Sequence, residues 1–100
     1  MELVLGVSGI GNIIPKILDI ARKKTSDKNT VDELAELTSS NYSSGKYFTR
    51  AFGVSVSDFA FAALKWIGSP YSVERFDQLY EDLPDERKPR INEIIEGYKL

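Results

Sequence analysis

Hydrophobic side chains recur along most of the chain at the three- and four-residue spacing of an α-helix. Alternation with a period of two, which is typical of strands, is almost absent, and only Leu3–Val7 could be extended. The pattern predicts helices over 13–25, 30–38, 46–52 and 56–67, one after Gly68–Pro70, and one beginning at Asp85. The expected fold is therefore all-α, a compact bundle of five to six short helices.

Capping residues mark where several of these helices should begin. Asn12 can cap the first helix, with Pro15 in its first turn, where the missing amide does little harm. Thr30 begins a Thr-x-x-Glu capping box, in which each of the two side chains accepts a hydrogen bond from the other residue's backbone amide. Asp85 is expected to cap the last helix, with Pro89 about one turn inside it.

Segment 56–67 is the most apolar stretch, with nine hydrophobic residues among its twelve. A helix that is apolar nearly all round is buried on several sides, so this one is expected at the centre of the bundle. A chain of 100 residues has few other segments that could cover this helix, so part of it is expected to form the contact between subunits of a homo-oligomer.

No linker or repeat divides residues 1–100, which should form one helical domain with 1–11 flexible or extended.

The amino-acid composition excludes several kinds of catalytic and metal-binding site. It contains no cysteine and no histidine, which removes thiolate sites, the commonest general base and the commonest metal ligand. We therefore expect no catalytic activity, no cofactor and no metal site.

The apolar start of the chain lacks the basic region of a signal peptide, and glycines and polar residues interrupt it before it reaches membrane-spanning length. A cytoplasmic location without membrane contact is expected.

Charge is distributed unevenly within a net charge of −2. Residues 1–65 carry eight basic and seven acidic residues, a balance of +1, whereas residues 66–100 carry five and eight, a balance of −3. In the acidic part, Glu74, Asp77 and Glu81 recur at spacings of three and four and share one helix face. Such a face is usually solvated, and the alternatives are that it holds a cation, mimics a phosphate backbone or contacts a partner.

Residues 31–59 contain a helix-turn-helix-like pattern. The run Tyr47–Phe52, Tyr-Phe-Thr-Arg-Ala-Phe, and the following Gly53–Phe59 resemble the second-helix signature of transcription regulators of the AraC/XylS type. Val31–Ala35 resembles the preceding helix of that unit. The resemblance implies a small regulator that binds double-stranded DNA, with residues 45–52 as the second helix of the motif.

The DNA-contacting residues follow from this resemblance. In a helix-turn-helix the N-terminal part of the second helix faces base edges in the major groove. The candidates at that position are Ser44, Lys46, Tyr47, Thr49 and Arg50. Arg50 would contact guanine or phosphate, while Lys46 and Thr49 would reach phosphates. Lys23, Lys24 and Lys28 precede the first helix of the motif and are candidates for contacts to the DNA backbone.

Two functions are therefore predicted as alternatives. The first is a dimeric DNA-binding regulator, in which symmetry doubles the number of contacts. The second is a protein-binding module, such as a small inhibitor or an immunity-type protein, without DNA binding or catalysis. It would act through the acidic C-terminal face and through exposed aromatic residues, namely Tyr71, Tyr80 and Tyr98. The net negative charge weighs against the first alternative.

Overall fold

Five helices account for most of the residues that the computed structural model describes, namely 10–24, 27–39, 48–49 and 54–97. The helices are α1 (Ile10–Arg22), α2 (Lys28–Leu37), α3 (Val56–Ile67), α4 (Pro70–Glu81) and α5 (Lys88–Gly97). Two short strands, β1 (Phe48–Thr49) and β2 (Val54–Ser55), pair in the antiparallel direction. The predicted all-α bundle is confirmed.

Helix α3 lies at the centre of this bundle. It packs against α1, α2, α4 and α5, and its large side chains Phe59, Phe61 and Leu64 are at most 1% exposed. Ser55 caps its start by accepting a hydrogen bond from the backbone amide of Asp58 at 3.1 Å. The prediction of a central, buried helix over residues 56–67 is confirmed.

The chain's own elements cover the apolar surface of α3. All of its hydrophobic residues are buried except Trp66, which is half-buried. Trp66 packs edge-on against Phe59, with ring centroids 5.4 Å apart, and its indole N–H donates to the carbonyl of Ile95 at 3.1 Å. The expected subunit contact through 56–67 therefore loses its basis, because α3 presents no apolar face to a second copy.

Helix α1 begins earlier than a cap at Asn12 predicts. It starts at Ile10, which places Pro15 in the second turn, where the proline removes one hydrogen bond of the helix. Burial against α3 outweighs this loss, since each buried isoleucine contributes about 1.5–3 kcal/mol. The inner side of α1 carries three such residues, Ile14, Ile17 and Ile20. Of the segment expected to be flexible or extended, residues 10 and 11 are helical, and 1–9 lie outside the described residues.

Helix α2 begins at Lys28, with Asp27 as its cap instead of Thr30. The carboxylate of Asp27 accepts the backbone amide of Thr30 at 3.0 Å and the Thr30 hydroxyl at 2.9 Å. These two hydrogen bonds, the backbone one first, hold the pKa of Asp27 below its ordinary value. Thr30 is thus the third residue of the helix, buried beneath the side chain that caps it.

A tight turn joins α3 to α4. Gly68 ends α3 with a left-handed φ of 70°, and Ser69 caps α4 by accepting the amide of Ser72 at 3.2 Å. Pro70 occupies the first helical position, which needs no amide. The buried hydroxyl of Ser72 donates to the carbonyl of Leu64 at 2.5 Å. The turn thereby fixes the direction in which α4 leaves the core.

Gly68→Ala is expected to lower the free energy of unfolding by about 1 kcal/mol, the cost of a left-handed conformation for a residue with a Cβ. The new methyl group would lie 3.8 Å from the carbonyl oxygens of Lys65 and Trp66, which is an ordinary contact. Gly97→Ala is the matched control, because a Cβ there meets nothing within 4 Å and α5 should gain up to about 1 kcal/mol. Urea unfolding followed by Trp66 fluorescence measures both variants. If both variants changed the free energy of unfolding by the same amount, the left-handed backbone at Gly68 would not require a glycine.

The start of α5 also differs from its prediction. The helix begins at Lys88, with Pro89 in its first turn, as proline prefers. Asp85 precedes the helix by three residues and does not cap it. Its carboxylate lies 3.6 Å from the ammonium group of Lys88, an ion pair at the surface.

Candidate functional site

Residues 48 and 49 form a strand at a place where the second helix of the DNA-binding motif was predicted. Phe48 pairs with Ser55 and Thr49 with Val54. The prediction of a helix is wrong at these two residues, because a run this short has little helical stability of its own. Phenylalanine, threonine and valine also favour strands. Four of the predicted DNA contacts lie outside the described residues and stay predictions: Ser44, Lys46, Tyr47 and Arg50.

The three lysines predicted to contact the DNA backbone each contact another part of the chain. Lys23 pairs with a carboxylate one turn earlier in α1, at 3.1 Å. Lys24, whose φ is 50°, donates from Nζ to the carbonyl of Trp66 at 2.9 Å, at the negative end of the α3 dipole. Lys28 lies 5.8 Å above the ring centroid of Tyr71. The assignment of these three lysines to DNA phosphates stays a prediction.

The solvent side of α4 carries an open groove of about 660 Å³. Its lining comes from three turns of the helix and consists of Pro70, Val73, Glu74, Asp77, Gln78, Tyr80 and Glu81. Proline, valine and tyrosine supply apolar surface, and the three carboxylates stand beside it. Of these residues, the sequence singled out the three carboxylates and Tyr80, but not Pro70, Val73 or Gln78.

The groove's three carboxylates, Glu74, Asp77 and Glu81, are exposed. Within the described residues, no lysine or arginine lies within ion-pair distance of any of them. Glu74 accepts only a long hydrogen bond from the neutral amide of Gln78, at 3.4 Å. Among the same residues no group of three or more metal-ligating side chains comes together. This face of α4 thus holds negative charge that the described chain does not neutralise.

Tyr80 is the aromatic side chain of the groove, and its neighbours hold it in place. Its ring stacks on buried Phe76, with centroids 5.1 Å apart and planes 22° apart, and Phe76 meets Phe61 edge-on at 6.0 Å. Its hydroxyl accepts a hydrogen bond from Asn92 at 3.0 Å, and the ammonium group of Lys88 lies 5.3 Å from its ring centroid. Because the ring is already fixed, little side-chain entropy would be lost when a partner covers it.

Tyr71 and Arg75 join the first half of α4 to α2 through Asp32. The Tyr71 hydroxyl donates to the Asp32 carboxylate at 2.5 Å, and this hydrogen bond, followed by burial, raises the pKa of Tyr71. The Nε of Arg75 lies 3.9 Å from the same carboxylate oxygen. This distance is too long for a hydrogen bond, and the guanidinium of Arg75 also donates to Oε1 of the groove residue Gln78, at 3.5 Å. Among the described residues, Arg75 forms no ion pair with the carboxylates of the groove.

Comparison with known proteins leaves the family of the chain open. No protein-family model matches it, and no curated protein or solved structure matches it significantly. The resemblance of residues 31–59 to AraC/XylS-type regulators therefore stays a prediction. None of the described helices combines the length and the apolar composition needed to cross a membrane.

Proposed function

We propose that the protein is a protein-binding module and that its partner docks in the groove of α4. The observation that carries this proposal is the combination, on one helix face, of apolar surface with three carboxylates that the described chain does not neutralise. Binding surfaces typically combine an apolar centre with a polar rim, and charge complementarity gives them specificity and fast association. A small inhibitor or immunity-type protein that covers a basic surface of its partner would act in this way.

The same geometry disfavours nucleic acid as the occupant of the groove. Helices α3 and α4 are joined by a short turn with a glycine, an arrangement that in DNA-binding proteins places the second helix in the major groove. The exposed side of α4, however, carries Glu74, Asp77 and Glu81, which phosphates would repel. The connection between the helices suits DNA binding, but the charge on α4 does not.

Val73→Arg tests the proposal, because it places a charged side chain on the apolar edge of the groove, beside the carboxylates. Gly97→Arg is the matched control, with the same change in charge at an open position of α5. A partner captured from an extract of the native host is purified, and its affinity for both variants is measured by calorimetry. We expect Val73→Arg to weaken binding at least about tenfold, because an apolar contact is lost and a basic partner meets a new positive charge, and Gly97→Arg to leave it within about twofold.

Two outcomes would contradict the proposal. One is a partner that binds Val73→Arg as tightly as the unchanged protein, which would place the interface elsewhere. The other is salt-sensitive binding of double-stranded DNA at about 50 mM salt without any protein partner, which would favour the regulator.

A further inference from the structure

We infer that the segment occupying the groove of α4 is a basic amphipathic helix, which carries lysine or arginine beside apolar residues at a seven-residue repeat. This inference rests on the proposed function, because it names the chemistry of the partner at the same groove. Its basis is the order in which apolar and acidic residues follow one another along α4.

Apolar and acidic residues repeat along the groove with the period of paired helices. Val73 is followed by Glu74, and seven residues later Tyr80 is followed by Glu81, with Asp77 between the two pairs. Two helices that pack side by side repeat their contacts every seven residues, with apolar residues along the seam and charged residues flanking it. On this side of α4, Val73 and Tyr80 therefore match one of the two seam positions of such a pair, while Asp77 stands at the other and Glu74 and Glu81 flank them.

Distances along the helix axis favour a helical partner over an extended one. With a rise of 1.5 Å per residue, Asp77 lies roughly 4.5 Å and Glu81 roughly 10.5 Å beyond Glu74. Lysines three and seven residues apart on a second helix match both distances. In an extended segment, side chains on one face recur every ~6.7 Å, which is close to the spacing of roughly 6 Å between Asp77 and Glu81 but not to that of roughly 4.5 Å between Glu74 and Asp77.

Charge complementarity determines which helix fits. None of the described lysines and arginines lies within ion-pair distance of the three carboxylates, which stand beside apolar residues of the groove. An acidic helix would be repelled, and a purely apolar one would leave the carboxylates desolvated without a partner. The contact covers about three turns of helix, so a weak, transient and salt-sensitive complex is expected.

A synthetic peptide pair tests the inference directly. The first peptide is a fluorescein-labelled, alanine-based helix of about 18 residues, long enough to fold, with leucine–lysine pairs seven residues apart and a lysine between them. The second has the same composition, with its lysines moved to the opposite face. Fluorescence anisotropy with the full chain at about 50 mM salt should show at least about tenfold tighter binding of the first peptide.

Charge-neutralising variants assign the binding to the groove. The variant Glu74→Gln/Asp77→Asn/Glu81→Gln is compared with Glu86→Gln/Glu93→Gln/Glu96→Gln, which removes the same charge from exposed positions outside the groove. Circular dichroism first confirms that both variants fold. The groove variant should weaken binding of the first peptide about tenfold, since each of three ion pairs contributes a small share, and the control less than about twofold.

The results separate this inference from the proposed function. Equal affinity for the two peptides, no binding of either, or equal weakening by the two triple variants would overturn the basic helix. If Val73→Arg still releases the host partner in that case, the protein-binding module stands and only the nature of the segment is wrong. If Val73→Arg leaves the partner bound as well, both are wrong.

Discussion

Arg87→Met is expected to lower the free energy of unfolding by about 3 kcal/mol, because it breaks an ion pair that is largely shielded from solvent. The guanidinium donates to the Asp58 carboxylate at 2.7 Å and to the hydroxyl of Ser57 at 2.8 Å. The side chains of Arg87 and Asp58 are 23% and 16% exposed, and Ser57 is fully buried. Ser57 in turn donates to the carbonyl of Thr38, at 2.7 Å.

The loss of unfolding free energy arises because Arg87→Met leaves polar groups without their partner. Without Arg87, the carboxylate of Asp58 keeps little water and has no counter-charge, and the Ser57 oxygen loses a donor. Asp58 lies in the first turn of α3, where the helix dipole still favours its charge, so the loss should fall at the lower end of the range for such pairs.

Urea unfolding followed by the fluorescence of Trp66 measures this loss. Lys23→Met is the control, since it removes a pair whose side chains are 68% and 52% exposed and should cost less than about 0.5 kcal/mol. The double variant Arg87→Met/Asp58→Asn should recover part of the loss, because no unpaired charge remains. A single variant as stable as the Lys23 control would show that the pair does not hold α5 to the start of α3.

Phe61→Ala is expected to have the largest effect, a loss of about 4 kcal/mol in the free energy of unfolding. Phe61 is 1% exposed on the central helix and meets Phe76 edge-on, with centroids 6.0 Å apart and planes at 87°. Removal of its ring takes away buried apolar surface and leaves a cavity. Four helices surround α3, so the space cannot close by moving one of them alone.

The control for this variant is Leu79→Ala on α4, whose side chain is only half-buried and should cost about 1–2 kcal/mol. Urea or thermal unfolding gives both values. Phe61→Ala should also weaken peptide binding without touching the peptide, because Phe61 supports Phe76, and Phe76 supports Tyr80 in the groove. If the two variants were equally stable, neighbouring side chains would have moved into the space left by the Phe61 ring, and the predicted cavity would not form.

The central helix could be predicted from the sequence almost to the residue. Because the helix is apolar on nearly every side, its burial can be predicted without identifying a polar face. Ser55 caps its start, and Gly68 ends it. The cap of α2 is Asp27, three residues before the predicted cap at Thr30, because both residue types cap helices. Only the hydrogen bond from Thr30 to Asp27 decides between them, and that depends on the path of the chain before the helix.

The helix predicted over residues 46–52 shows where local patterns fail. Its composition allows a short helix, but Phe48 and Thr49 pair with Val54 and Ser55. Strand pairing depends on a partner segment, and neither segment shows it when read alone. The resemblance to DNA-binding regulators requires a helix at Phe48 and Thr49, where the structure has a strand.

The candidate site was predictable in part. The spacing of Glu74, Asp77 and Glu81 places them on one face whatever α4 packs against. Val73, in contrast, lies at the edge of the apolar stripe, and its burial depends on which helices cover that edge. Helix α4 packs chiefly on α3 and α2, which leaves Val73 half-buried beside the carboxylates. Position on a helix does not distinguish such an edge residue from a core residue.

The unneutralised carboxylates of α4 also affect the molecule when it is alone. Like charges three and four residues apart repel each other, so the unbound helix is less stable than one with a mixed charge pattern. A partner that supplies cations removes this repulsion and adds its own binding free energy to the folded state. The melting temperature of the protein would then report how far the groove is filled, and the domain would be most resistant to unfolding and proteolysis while in its complex.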